Sequence, residues 1–295
     1  MGARLRPGLG KNRLYRSLQD KKRLYWCAMQ KLIHLVMDYA PGDLACAEVV
    51  SALAAQIPGD YHWHITSVQS FDTVATGFVV AQLGNQSEQL RPQDTLIYAN
   101  CAPRKDRREA RTNNEGEGFL YGKLASGVRV MAVNSGYSLS FVREELTELW
   151  TLLVDAGGSQ FRSRDNFPKL VGQASRGETC FLKERLDPRE VIPAPPTTAV
   201  GYVDSFGNLK TTIRDGDPIL ATLKPGQRVI AEINGVAMAV TVAAGSFNVQ
   251  EGDIALSPGS SGHTRKFWEI FQRGGSAWHT YKKPRPGAQI TFRLG

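Results

Sequence analysis

The chain changes character at one place. Residues 187–199, DPREVIPAPPTTA, hold four prolines in 13 residues. No helix interior or central strand accommodates that density, because each proline lacks its N–H and fixes φ. The segment reads as a linker, and the patterning differs on its two sides. Before it, short apolar runs that read as strands, LIHLVM (32–37), HWHITSV (62–68), DTLIYAN (94–100) and VRVMAVN (128–134), alternate with stretches at helical spacing. The latter are LACAEVVSALAAQI (44–57), TVATGFVVAQLGN (73–85) and EELTELWTLLVDAGG (144–158). That alternation predicts an α/β domain over 29–186, a mostly parallel sheet with flanking helices. After it, GYVDSFGNLKTTI, QRVIAEING, VAMAVTVAAG and AQITFRL are β-rich runs separated by glycine-containing turns, which predicts an all-β barrel domain over 200–295.

Charge narrows the function classes. The net charge is +8, yet residues 1–28 alone carry eight Lys/Arg against one acid, Asp20. The body is therefore nearly neutral, and the charge gives no basic face for nucleic acid outside that extension. The extension itself lacks a secretory apolar core and reads as a disordered basic arm, a transit-like segment or an upstream addition. No apolar run is long enough for a spanning helix, so no membrane partner is expected. Cys27, Cys46, Cys101 and Cys180 form no CxxC pair, which argues against a disulfide framework or a structural zinc and suggests a cytoplasmic location.

Ligands of α/β sheets sit at the carboxyl ends of strands, and Asp38, Asn100 and Asn134 fall there. A carboxylate after a buried strand suits paired ribose hydroxyls, or else caps the next helix. No GxGxxG or GxxxxGK(S/T) follows a strand, so a dinucleotide or P-loop site is not expected. His62 and His64 flank Trp63 on one strand and share a side, but no third ligand accompanies them, so no metal is expected. Cys101 has basic neighbours that could lower its pKa, without a nearby histidine.

Singly these features are weak; their order is not. VMDYAPGD (36–43), ITSVQSFDTVATGFVVAQL (65–83), LIYANCAPRKDRR (96–108), AVNSG (132–136) and SQFRSRDNFP (159–168) are followed by GYVDSFGNLKTTI (201–213) and by PGSSG (258–262) with WEI (268–270) and GGSA (274–277). In this order the chain resembles the S-adenosyl-L-methionine hydroxide adenosyltransferases, the family that includes fluorinases and chlorinases. The resemblance spans about residues 31–294 and is most specific at 201–213.

The resemblance implies a homotrimer with sites between subunits, S-adenosylmethionine as substrate, no cofactor, and displacement at ribose C5′ releasing methionine. It implies that Asp38 holds the ribose hydroxyls and Phe71 walls the reacting region. Asp204 would meet the methionine ammonium, Asn208 would bond adenine, Phe247 would stack on it, and Ser260 and Ser261 would take the methionine carboxylate. At the catalytic positions the family's acid is Asn100, its arginine is Arg107 and its histidine is Arg162. Asparagine cannot accept a proton and arginine keeps its charge. Three readings follow: a hydrolase with an altered site, in which Asp106 could replace the missing base; a nucleoside-binding protein without turnover; or a protein using another anion, halide included.

Overall fold

The computed structural model describes residues 31–57, 59, 61–85, 91–105, 108–109, 116–155 and 157–294. The basic extension lies outside them. The first sheet has seven strands: β1 (Lys31–Met37), β2 (Tyr61–Ser67), β3 (Thr95–Asn100), β4 (Phe119–Leu124), β5 (Arg129–Val133), β6 (Leu146–Leu152) and β7 (Leu182–Arg185). Their order is β2-β1-β3-β5-β4-β6-β7. The pairs β1–β2, β1–β3 and β3–β5 are parallel, and β4–β5, β4–β6 and β6–β7 are antiparallel. The sheet is therefore mixed, and the expected mostly parallel sheet is corrected. The cause is the 124–128 turn, where Leu124 N–H bonds Val128 O at 2.9 Å and folds β4 back on β5.

The expected helix over 144–158 is also corrected, because its centre is β6. Leu146 and Leu149 both enter one core although three residues apart, since a bulge opposite Lys123–Leu124 inserts an extra residue between them. Leu152 then points to the other face. A strand buried on both faces across a bulge imitates helical spacing.

Three helices flank the first sheet: α1 (Leu44–Gln56), α2 (Thr73–Gly84) and α3 (Phe167–Ser175). Ile33, Leu35 and Met37 of β1 face α1 and α3, whereas Val36, Ile97 and Ala99 face α2 on the opposite side. Asp43, not Asp38, caps α1, its carboxylate accepting from Ala45 N–H at 2.9 Å.

The second sheet comprises β8 (Val200–Val203), β9 (Leu209–Arg214), β10 (Arg228–Ile233), β11 (Val236–Val242), β12 (Ile254–Pro258), β13 (Phe267–Gln272) and β14 (Ile290–Leu294). Its order is β14-β10-β11-β12-β13-β9-β8, antiparallel except for β11–β12. The sheet curls until its edges meet at the Ala199–Gln289 bridge, beside which Ile290 N–H reaches Thr198 O at 2.8 Å. The proline-rich segment is packed down through Ile192, which joins the first sheet's core.

Nine of the twelve residues of α2 are buried, so the helix is apolar all round. The first sheet covers one side and the second covers another. Phe78 is the junction: its ring lies 4.5 Å from Phe267, is stacked at 5.8 Å on Tyr202 and meets Phe141 edge-on at 6.1 Å. Gly201 permits this approach, since a Cβ there would stand 2.8 Å from the Phe78 ring. Phe78→Ala should cost about 3–5 kcal/mol, read as a lower urea midpoint; a loss under about 1 kcal/mol would show that the junction carries little.

His34 is buried on the α2 side of β1, edge-on to His64 at 5.7 Å, and neither ring nitrogen has a hydrogen-bond partner. Burial, then the neighbouring His64, lowers its pKa from 6.5 to about 4. The unfolded chain therefore takes the proton first, and the stability held by neutral His34 is lost as pH falls from 6.5 towards 4. Against His34→Phe, wild type should lose up to about 3 kcal/mol more over that interval by denaturant titration. Parallel stability curves for the two proteins would refute this.

Candidate functional site

Parallel β1 and β3 end side by side, with Met37 opposite Asn100 and Asp38 N–H on Asn100 O at 3.3 Å. The chain leaving β2 turns over them through Phe71, whose φ of 65° lies in the left-handed region. Such a conformation is costly for a bulky residue and clusters at functional sites. It directs the Phe71 N–H onto Asp38 Oδ2 at 3.1 Å and leaves the ring 59% exposed. Burial raises the Asp38 pKa, opposed by hydrogen bonds from the Phe71 and Asp38 amides, the Cys101 thiol and the Ala102 amide.

Asn100 is 5% exposed and its Nδ2 donates to the Tyr39 hydroxyl oxygen at 3.2 Å. Burial pushes the Tyr39 phenol up. The Cys101 thiol is likewise pushed up, by burial and then by the charge of Asp38. This runs opposite to the expectation from its basic neighbours, since burial and Asp38 disfavour the thiolate of Cys101.

Arg162 enters from the helical turn Arg162–Asp165. Its Nη1 donates to Glu117 O at 3.0 Å, and its guanidinium lies 5.0 Å over the Phe167 ring. Gly116 makes room, since a Cβ there would lie 2.6 Å from Nη1. Asp38, Phe71, Asn100 and Arg162 thus line one cleft of about 570 Å³. Arg107 and Asp106 lie outside the described residues.

The cleft also holds a residue that the sequence did not single out. Glu117 is 6% exposed, and its Oε1 is buried without a hydrogen-bond partner. In the sequence it sits in EGEGF, which reads as a polar glycine-rich loop. Among the described lining residues Asp38, Asp43, Glu109 and Glu117 oppose only Arg104 and Arg162, which suits a cationic ligand.

The second predicted set lies on the curled sheet. Asn208 and Phe247 line a separate cavity of about 680 Å³ together with Phe206 and Arg273. Phe206 and Phe247 are 78% and 85% exposed, unusual for phenylalanine. Asp204 holds the β8–β9 turn: its carboxylate accepts from the amides of Phe206 at 3.0 Å and Asn208 at 2.9 Å, and from Asn208 Nδ2 at 3.0 Å. Lys210 stands 3.5 Å from it and pairs with Glu269. Ser260 is exposed and Ser261 buried, and both precede Gly262, whose N–H bonds Gln82 Oε1 of α2 at 2.7 Å. Within one chain Asn208 and Phe247 therefore line a cavity separate from that of Asp38, Phe71, Asn100 and Arg162, and Asp204, Ser260 and Ser261 are not among the lining residues of either. No group of three or more potential metal ligands occurs among the described residues, and no helix there is long and apolar enough to cross a membrane.

No family model and no curated protein matches the chain. Solved structures do. The chain is similar to an uncharacterized conserved protein from Thermotoga maritima at 17% identity and a TM-score of 0.70, over 88% of this chain and 100% of that one. It is also similar to a conserved hypothetical protein from Thermus thermophilus at 16% identity and a TM-score of 0.63, over 89% of this chain and 100% of that one. At such identities the likeness carries the two-sheet fold.

The two thiols should separate chemically. Exposed Cys180 should be alkylated by iodoacetamide at about pH 8 while folded Cys101 stays unmodified, by peptide mass spectrometry. Rapid labelling of Cys101 in the folded protein would contradict the account of its surroundings.

Proposed function

We propose that the protein cleaves S-adenosylmethionine to adenosine and methionine by attack of water on ribose C5′. The observation that carries this is the meeting of Asp38, Phe71, Asn100 and Arg162, four positions the sequence resemblance names, in one cleft at the strand carboxyl ends. The cleft's excess of carboxylates favours a sulfonium substrate.

In this reading Asp38 accepts from the ribose hydroxyls, with the Phe71 amide holding its second oxygen in place. Phe71 covers the reacting carbon and thins the water around it. Methionine leaves as a neutral thioether, so the leaving group needs no acid. Asn100, its amide donating to Tyr39, positions rather than takes a proton. The Arg162 guanidinium stabilises the charge that develops on the attacking oxygen.

The curled sheet of a neighbouring copy completes the site. Asn208 and the exposed Phe247 ring would reach adenine across the subunit boundary, in a homotrimer whose second domain is read as a barrel. This accounts for the separate cavities within one chain.

The test is purified protein with S-adenosylmethionine, with and without chloride, and products separated by chromatography. Adenosine and methionine are expected. Asp38→Ala should weaken binding about tenfold or more, roughly 1.4 kcal/mol by calorimetry. Mixing Asp38→Ala with Phe247→Ala subunits after partial dissociation should raise turnover above that of either variant alone. A 5′-chlorinated nucleoside would assign halide as nucleophile, and tight binding without product would make the protein a nucleoside binder.

A further inference from the structure

The cleft lacks a proton acceptor where the sequence resemblance expects one, because Asn100 cannot serve. The other described groups lining it exclude themselves in turn. No histidine or lysine is among its described lining residues. The Asp38 carboxylate is held by the Phe71 amide and the Cys101 thiol and faces the ribose in the proposed reading. Asp43 caps α1, and Glu109 is an exposed loop residue. Burial holds the Tyr39 hydroxyl protonated.

Glu117 remains. It is buried, it lines the cleft, and its Oε1 meets no donor. A buried acceptor without a partner is costly, so the site gains when a bound group donates to it. Its own carbonyl receives Arg162 Nη1, which places the carboxylate-bearing residue and the cation next to each other. A carboxylate to take the proton beside a guanidinium to hold the developing negative oxygen is the pair that water activation requires.

We infer that Glu117 is the proton acceptor for the attacking water, an inference that rests on the proposed cleavage of S-adenosylmethionine. One water O–H donates to the Glu117 carboxylate. As the O–C5′ bond forms, the C5′–S bond breaks and its electron pair stays on sulfur, giving neutral methionine. The water's proton passes to Glu117, adenosine leaves, and the proton is then released to solvent. The reaction balances with water alone as co-reactant. Glu117 acts chiefly on the nucleophile, and its charge is one of four carboxylates facing the cationic ligand, so its removal lowers kcat far more than affinity.

The test compares wild type, Glu117→Gln and Glu117→Asp. Glu117→Gln should lower kcat by about 10²–10⁴-fold while S-adenosylmethionine affinity by calorimetry stays within about threefold. The acidic limb of kcat against pH should be present in wild type and absent in Glu117→Gln. Glu117→Asp keeps the carboxylate and should keep the limb with a smaller rate loss, which distinguishes a proton acceptor from a merely structural residue. The other described titratable or charged groups facing this cleft, Asp38, Tyr39, Asp43, Arg104, Glu109 and Arg162, are unchanged in these variants. Glu117→Gln with wild-type kcat and pH profile overturns the assignment of Glu117 alone. Wild-type protein that binds S-adenosylmethionine yet forms no adenosine at any pH overturns the cleavage reading and this inference with it.

Discussion

The burial of α2 between the two sheets is the contact on which the remaining structure leans. Hydrophobic burial has no direction of its own, so a helix covered on several sides needs close, shaped contacts to hold one position. Phe78 supplies them against Phe141, Tyr202 and Phe267, and Gly201 allows the second sheet to come near. The consequence reaches the site through chain continuity. Asp72 caps α2 by accepting from Ala75 N–H at 2.8 Å, and Phe71 immediately precedes it. The core thus fixes the strained turn that puts the Phe71 amide on Asp38. At its other end α2 reaches the second sheet through Gln82 and Gly262.

The cleft combines a rigid frame with a set of charged and polar groups. Two parallel strands aim Asp38 and Asn100 at the same space, and the Arg162 guanidinium is steadied by a carbonyl and by the Phe167 ring. Asn100 and Arg162 do not supply a base. The cleft instead holds a buried carboxylate from a different segment, at Glu117. Proton-transfer chemistry depends on where a carboxylate sits and not on which strand carries it. In the proposed reading this lets the acceptor move in sequence while staying in the same cleft.

Where sequence reading succeeded and failed follows from what each signal measures. The runs at 32–37, 44–57, 62–68, 73–85, 94–100 and 128–134 match β1, α1, β2, α2, β3 and β5 because each has one period and clear breakers. The 144–158 stretch misled because the β6 bulge and two-faced burial gave a strand the spacing of a helix. Strand β4 carries no comparable signal, since FLYGKL has a central glycine, and the antiparallel half of the first sheet is therefore not legible in the sequence. Glycine is needed there: a Cβ on Gly122 would stand 2.6 Å from the Leu146 side chain.

The sequence by itself determined the change of architecture at the proline-rich segment, the strand ends bearing Asp38 and Asn100, and the motif order that carries the resemblance. Local preferences and composition decide these, so they are readable without a partner in space. Tertiary structure alone decided that Cys101 is buried beside Asp38 and that Glu117 meets Arg162 in the cleft. Each of these depends on groups distant in sequence, and a side chain's reactivity is set by its neighbours, its desolvation and its unmet hydrogen bonds.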